Sequence, residues 1–157
     1  MNVSNYLIVL KILHISLCSG LLIFFVFIQW GLGSNFIDAN IPMEISYIII
    51  GLTFFGAFFL APFIFQKICN QGKPETAPAT LFKIYQGGFI VQMAIMEACG
   101  LLCLIFYFIT QWMPLLFMAL LTLFFMIYRR PSKMDMEKKV FKTAQQKSYL
   151  NANNNFL

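Results

Sequence analysis

Four long apolar runs constrain this chain more than any other feature of its sequence. They lie at about residues 7–30, 45–66, 84–111 and 113–130. A helix needs about 20 predominantly apolar residues to cross a bilayer, and each run is close to that length or above it. The sequence therefore predicts an all-α integral membrane four-helix bundle over residues 1–130, followed by a tail over residues 131–157. With 60% hydrophobic and 11% charged residues, the chain leaves no room for a separate soluble domain.

The first and third runs resemble each other in sequence. The segment SGLLIFFVFIQW of span one aligns with CGLLCLIFYFITQW of span three, with Gly20 opposite Gly100 and a two-residue gap. Spans two and four each carry a threonine nine residues before a proline, at Thr53 and Thr122. This similarity predicts two tandem helical hairpins.

All eleven Lys and Arg residues fall on one side of the predicted topology. They flank the start of span one, the loop between spans two and three, and the end of span four. The loops at residues 31–44 and 111–114 contain none. Because the more basic loops stay in the cytoplasm, both termini are expected to be cytoplasmic (N-in/C-in). We expect the membrane to be a bacterial inner membrane.

Apolar residues recur at helical spacing among the lysines of the tail, at Met136, Val140, Phe141 and Ala144. This pattern predicts a short helix that lies on the inner leaflet, and a solvated chain end is the alternative. Each basic group near an anionic surface contributes about 1 kcal/mol to binding. The residues expected to contact anionic lipids are Arg129, Arg130, Lys133, Lys138, Lys139 and Lys142.

Glu97 is the acid that lies within a predicted span. It follows Lys83 by fourteen residues and precedes Trp112 by fifteen, which places it deep in the hydrocarbon. A charged acid there costs at least about 2.5 kcal/mol, and such residues usually face a partner and mark function. Burial favours the protonated form, so Glu97 is a candidate for taking up and releasing a proton. The alternative is a protonated carboxyl that only holds helices together.

His14 and Gln86 are the candidate companions of Glu97. Counting from the outer tryptophans places His14 and Glu97 at one depth, which allows them to pair, whereas counting from the flanking lysines separates them by about 16 Å. An unpaired interfacial histidine is the alternative. Gln86 precedes Glu97 by eleven residues and returns to the same helix face, so it could extend a polar path from the cytoplasm. It could equally be an interfacial residue.

Several chemistries are excluded by the residues that the chain contains. One histidine cannot supply two axial haem ligands within one chain, and four cysteines without a C-x-x-C pair do not indicate a zinc or dithiol site. No G-x-x-x-x-G-K-[ST] phosphate loop occurs. The basic residues lie at membrane edges and not on a soluble surface. The sequence therefore predicts no metal, no cofactor, no nucleic-acid partner and no enzymatic activity.

Residues 51–108 combine a small-residue span, a polar inner loop and a span with one acid. The small residues are Gly51, Gly56, Ala57 and Ala61, the loop carries KPE, and the acid lies in AIMEACGLL. This order resembles the proteolipid (c) subunit of rotary ATPases in its four-span, tandem-hairpin form. The resemblance implies that Glu97 is the ion-carrying carboxylate. The chain departs from that family by lacking the loop Arg-Gln-Pro signature and by placing phenylalanines where the family has a glycine ladder.

Two functions remain after these exclusions. The leading interpretation is a small polytopic inner-membrane protein that acts as a non-enzymatic subunit or scaffold with a buried acid. Its expected partners are the bilayer and other membrane subunits or further copies of itself. The alternative is a proton or cation carrier centred on Glu97, with His14 as proton partner and Gln86 along the access path. An enzyme acting on a lipid or quinone ranks third.

Overall fold

The computed structural model describes residues 3–31, 42–72, 77–141, 143, 144 and 146–148, and most of them are helical. The helices are α1 (Val3–Val26), α2 (Met43–Phe55), α3 (Ala61–Cys69), α4 (Pro78–Thr110), α5 (Met113–Tyr128) and α6 (Lys133–Lys139). A π-helical turn at Phe27–Gly31 extends α1, and a second at Gly56–Leu60 joins α2 to α3. Because these ranges contain no strand, the all-α prediction is confirmed for the described part of the chain.

Three helical segments are long and apolar enough to cross a membrane: Tyr6–Trp30, Met43–Cys69 and Pro78–Thr110. Helix α5 has 16 residues, about 24 Å at a rise of 1.5 Å per residue, against a hydrocarbon core of about 30 Å. A bend of 86° separates α5 from α6, and this pair raises the number of possible crossing segments to four. The described residues thus contain three to four such helices, where the sequence predicts four spans.

Prolines determine where several of these helices begin and how one of them bends. Pro78 and Pro114 lie in the first turns of α4 and α5, where a missing N–H breaks no helical hydrogen bond. Pro62 lies in the first turn of α3 and cannot donate to the residue four positions before it. The preceding ladder widens accordingly, since the N–H of Ala61 donates to the Gly56 carbonyl five residues back.

A two-residue turn connects α4 to α5. Gln111 ends α4 in the left-handed region with φ 54°, and its N–H donates to the Tyr107 carbonyl at 2.7 Å. The Thr110 hydroxyl accepts a hydrogen bond from the Trp112 N–H at 3.4 Å. The chain reverses at the position where the sequence predicts the end of span three.

Helix α4 is central in the arrangement and contacts α1, α2, α3 and α5. Two of its glycines allow close approach of neighbouring helices. A Cβ added at Gly100 would lie 2.8 Å from the Leu21 side chain of α1, and one at Gly88 would lie 2.9 Å from the Phe65 ring of α3. We call the end of the bundle that carries Lys11 and the α5–α6 bend the inner end.

Large apolar side chains cover the outside of α1, α2, α3 and α5. Exposed examples are Ile12, Ile23, Phe55, Phe63, Phe117 and Phe124. Polar side chains such as Ser46, Thr53 and Thr122 are buried instead. A continuous apolar exterior of this extent marks a surface that contacts lipid or other proteins, and it is compatible with a membrane protein.

Helix α4 begins at Pro78, about six residues before the predicted start of span three. The early turns of α4 are well packed, because Leu81, Phe82 and Tyr85 are buried. At about 50 Å, α4 is longer than a bilayer core. Lys83 therefore marks a charged position within α4, and not the start of the helix.

Candidate functional site

Glu97 lies at the edge of the contact between α1 and α4. Its carboxylate oxygen Oε1 comes so close to α1 that a Cβ added at Gly20 would lie 3.2 Å from it. The side chain is half-buried, and no hydrogen bond or ion pair reaches its carboxylate from the described residues. The Glu97 carboxyl group therefore lies against α1 but is only partly covered by the protein.

Small exposed residues surround Glu97 on the side of the bundle. Ala94 and Ala98 are exposed on α4, and Ser16 and Gly20 are exposed on α1. Ala94 and Ala98 both lie within about 100° of Glu97 around the α4 axis, at 100° per residue. We call Ser16, Gly20, Ala94, Glu97 and Ala98 the Glu97 face. This surface combines a carboxyl group with side chains small enough for another helix to approach closely.

His14 is buried between α1 and α5 and does not contact Glu97. Its Nε2 donates a hydrogen bond to the Met126 carbonyl at 2.8 Å, and the Cys18 sulfur lies 3.8 Å from the same nitrogen. Met126 lies in the last turn of α5, where carbonyls lack the usual partner four residues later. A carbonyl can only accept, so the Nε2 of His14 carries the proton. His14 thus ties α1 to the end of α5.

The register between α1 and α4 explains why His14 and Glu97 do not meet. Two pairs of contacting residues define this register: the residue numbers differ by 75 for His14 and Phe89, and by 80 for Tyr6 and Gln86. The outer tryptophans (30 and 112) predict a difference of 82, and the flanking lysines (11 and 83) predict 72. The observed register lies between these two counts. His14 is consequently about six residues, or about 9 Å, nearer the inner end than Glu97.

Gln86 lies at the inner end and accepts a hydrogen bond from the Tyr6 hydroxyl. Between Gln86 and Glu97 the same side of α4 carries Phe89 and Met93, both buried. These apolar side chains interrupt the polar path that the sequence suggests. The structure therefore forms no direct hydrogen bond among Glu97, His14 and Gln86, although Cys18 lies beside His14 and interacts electrostatically with Glu97.

Replacing His14 with alanine should reduce folding stability without altering the Glu97 face. The variant leaves the α5 carbonyl with one hydrogen bond fewer, which costs about 1 kcal/mol. The measurement is the unfolding midpoint of purified protein in detergent. Ser19→Ala is the matched control, because among the described residues the Ser19 hydroxyl bonds within α1, to the Ser16 carbonyl. Equal midpoints for the two variants would contradict the assignment of His14 as a structural tie.

The tail packs against the protein at its inner end. Met136, Val140 and Phe141 are buried, and the Phe141 ring lies 5.1 Å from that of Phe82 on α4. The expectation that this apolar side lies on lipid is therefore wrong for these three residues, since they are buried within the protein, with Phe141 against α4 and Val140 close to Gly72. Of the four predicted apolar positions, Ala144 is exposed.

Asp135 and Lys139 connect the tail to α4 and α3. Its Oδ2 accepts a hydrogen bond from the Tyr85 hydroxyl of α4 at 3.0 Å, and its Oδ1 forms an ion pair with Lys139 at 3.0 Å. The Lys139 ammonium in turn lies 4.2 Å from the centre of the Phe65 ring of α3. Sequence reasoning missed Asp135, although its spacing of four residues from Lys139 on a short helix was a usable signal.

The basic residues of the inner end differ in their surroundings. Arg129 is half-buried, with its guanidinium 5.1 Å from the centre of the Phe125 ring, whereas Arg130 and Lys138 are exposed. Lys133 is half-buried, and Lys142 lies outside the described residues. Contact of these side chains with anionic lipid stays a prediction.

A cavity of about 420 Å³ opens beside Arg129 and Arg130. Gln92, which is 2% exposed, lines this cavity, and its Nε2 has no hydrogen-bond partner among the described residues. The Arg129 Nε is buried without a partner in the same way. Sequence reasoning did not select Gln92, because its face on α4 differs from that of Glu97.

The described residues contain no cluster of three or more His, Cys, Asp or Glu side chains able to hold a metal ion. None of the four cysteines, all of which the structure describes, forms a disulfide bond. Comparison of the chain with protein-family models, with curated proteins and with solved structures finds no match. The function therefore has to be inferred from the geometry of the chain itself.

Proposed function

We propose that this protein is a non-enzymatic subunit of a bacterial inner-membrane assembly, built as a four-span bundle that associates with further copies through the Glu97 face. Membrane insertion, four spans and two cytoplasmic termini are parts of this proposal. The observation that carries it is the half-buried carboxyl group of Glu97, which has no hydrogen-bond or ion-pair partner among the described residues and lies among exposed small residues.

The lengths of the helices support four crossings. One level across the bundle is marked by Lys11, Phe65, Gly88 and Arg129. Phe65 packs on Gly88. The hydrogen bond between His14 and Met126 aligns Lys11 with Arg129, because each lies three residues from the bonded residue of its own helix. From this level to their outer ends the first three segments extend about 29–33 Å, and α5 extends about 24 Å. These lengths fit a hydrocarbon core of about 30 Å with local thinning or side-chain adjustment at α5.

Glu97 lies near the middle of that layer. It follows Gly88 by nine residues, and Gly20 follows Lys11 by nine residues, which places both about 14 Å from the inner level. An acid at this depth is costly unless another polar group satisfies it. The described residues supply no hydrogen-bond or ion-pair partner, and a group from outside the chain could satisfy the carboxyl.

A second copy of the chain fits this surface for two reasons. A two-fold axis would bring the same small residues, Ala94 and Ala98, together from both copies and allow close approach of the two α4 helices. Each protonated carboxyl of Glu97 is both a donor and an acceptor, so the two groups can satisfy each other. The same contact would remove both acids from lipid.

Association in lipid should depend on the size of the residue at position 98. We expect Ala98→Leu to weaken association at least tenfold, because the larger side chain separates the two α4 helices. The measurement is resonance energy transfer between copies with fluorescent proteins fused to the C-terminus, in vesicles at several protein-to-lipid ratios. Gly51→Leu is the control, since Gly51 is exposed on α2 with no atom within 4 Å of an added Cβ. A monomeric wild-type protein, or equal effects of both substitutions, would contradict the proposal.

The carrier function makes a different prediction for Glu97→Gln. If Glu97 carries protons, the wild-type protein should conduct protons into liposomes above empty controls, and the glutamine variant should not. Dicyclohexylcarbodiimide should then label the wild-type acid. We expect no flux above empty liposomes, because Phe89 and Met93 separate Glu97 from the inner polar residues. If the wild-type protein conducts protons and Glu97→Gln abolishes this flux, the carrier function replaces the subunit proposal.

A further inference from the structure

A second site lies at the inner end, away from the Glu97 face. The walls of the 420 Å³ cavity come from four helices (α3, α4, α5 and α6) and the α5–α6 bend, so the docked tail is needed to form it. Phe65 and Phe89 contribute apolar surface, and Gln92, Arg129 and Arg130 contribute hydrogen-bond donors. The cavity exists because α6 folds back at 86° from α5.

The charge of the lining is positive. Arg129, Arg130 and Lys139 oppose a single acid, Asp135, which gives a formal net charge of +2. Both oxygens of Asp135 are engaged, by Lys139 and by the Tyr85 hydroxyl. Neither arginine has an ion-pair partner in the described part of the chain. Two guanidinium groups are therefore available to an anion.

Two buried donors beside the cavity lack acceptors within the part of the chain that the structure describes. They are the Nε2 of Gln92 and the Nε of Arg129. Buried polar groups in folded proteins are nearly always hydrogen-bonded, and an unsatisfied donor needs an explanation such as an absent ligand. A ligand rich in acceptor oxygens would satisfy both donors and the arginine charges together.

We propose that this cavity binds a phosphate group, with Arg129 and Arg130 as charge partners and Gln92 as a hydrogen-bond donor. The guanidinium fork matches phosphate oxygens in pairs. The cavity lies at the level of Lys11 and Arg129, where a four-span protein would meet the headgroup layer. The phosphate therefore comes either from an anionic lipid headgroup or from a soluble phosphate. This site differs from diffuse attraction of the tail to lipid, because it includes a buried neutral amide.

The test compares three single variants with the wild-type protein. Arg130→Gln removes an exposed charge at the cavity, Gln92→Leu removes the buried amide with little change in volume, and Lys138→Gln removes an exposed charge that does not line the cavity. One probe is inorganic phosphate, measured by calorimetry with protein in neutral detergent. The other is phosphatidylglycerol added to phosphatidylcholine nanodiscs, measured as bound lipid by native mass spectrometry.

We expect Arg130→Gln and Gln92→Leu each to weaken binding at least tenfold, and Lys138→Gln to change it less than twofold. Binding of inorganic phosphate identifies a soluble source, and binding of phosphatidylglycerol alone identifies a lipid headgroup; both outcomes support the site. Gln92→Leu should unfold no earlier than the wild-type protein without ligand, because it removes an unsatisfied group. The proposal is overturned if neither probe binds. It is also overturned if Arg130→Gln and Lys138→Gln weaken binding equally while Gln92→Leu does not weaken it.

Discussion

Replacing Gly100 with leucine will disrupt the contact between α1 and α4 and destabilise the fold by about 2–3 kcal/mol. A Cβ at this position would lie 2.8 Å from the Leu21 side chain, which is 1% exposed, and leucine adds further carbon atoms beyond that Cβ. The added side chain is therefore accommodated only if α1 shifts away from α4. The measurement is the unfolding transition in detergent, followed by circular dichroism and by the elution volume of the folded protein.

Gly51→Leu separates this steric effect from the general effect of replacing a glycine within a helix. Gly51 lies inside α2, is exposed, and has no atom within 4 Å of an added Cβ. Its substitution should leave stability unchanged or raise it slightly, since leucine is the better helix former. If both variants unfold at the same point, the close contact between Gly100 and Leu21 does not hold α1 in place.

The helical segments could be predicted from the sequence because the signal for each is local. An apolar run and its flanking prolines are contained in about 20–30 adjacent residues, and the turn at Gln111 and Trp112 is marked by Pro114. The early start of α4, at Pro78, was not predictable in this way. In the sequence, its polar residues and Lys83 are typical of a loop. The structure shows that the neighbouring Leu81, Phe82 and Tyr85 are buried.

The candidate site depends on the relation between distant segments, which the sequence encodes weakly. The depth of His14 relative to Glu97 is set by side-chain packing between α1 and α4, such as Leu21 against Gly100. Boundary residues give this register with an error of several residues, because lysines extend toward the interface and helices protrude. A register error of five residues is about 8 Å, enough to create or remove a His14–Glu97 pair.

The tail illustrates a different limit of sequence reasoning. The spacing of Met136, Val140 and Phe141 correctly identifies an apolar side, but the same pattern suits a lipid surface and a protein surface. The structure places this side against α4, with Asp135 bonded to Tyr85. The charged residues then line a cavity beside Gln92, which hydropathy alone does not indicate.

Replacing Phe141 with aspartate will release the tail from the inner end. Phe141 is fully buried and packs against Phe82, so the variant would bury an unpaired charge, at a cost of about 3–5 kcal/mol relative to the docked wild-type tail. The tail should detach before the spans unfold, because α1 to α5 retain their mutual contacts. Tail lysines should then be cleaved by trypsin at least tenfold faster, since cleavage follows the population of the open form.

Ala144→Asp provides the matched control, because it adds the same charge to an exposed position of the tail. Its cleavage rate should stay within twofold of the wild-type rate. Phe141→Ala adds no charge and should give an intermediate rate, so the effect of lost packing can be separated from that of the buried charge. If aspartate at positions 141 and 144 accelerates cleavage equally, the tail is not docked through Phe141. The cavity proposed to bind phosphate would then lose the wall that α6 provides, so this result bears on both features of the inner end.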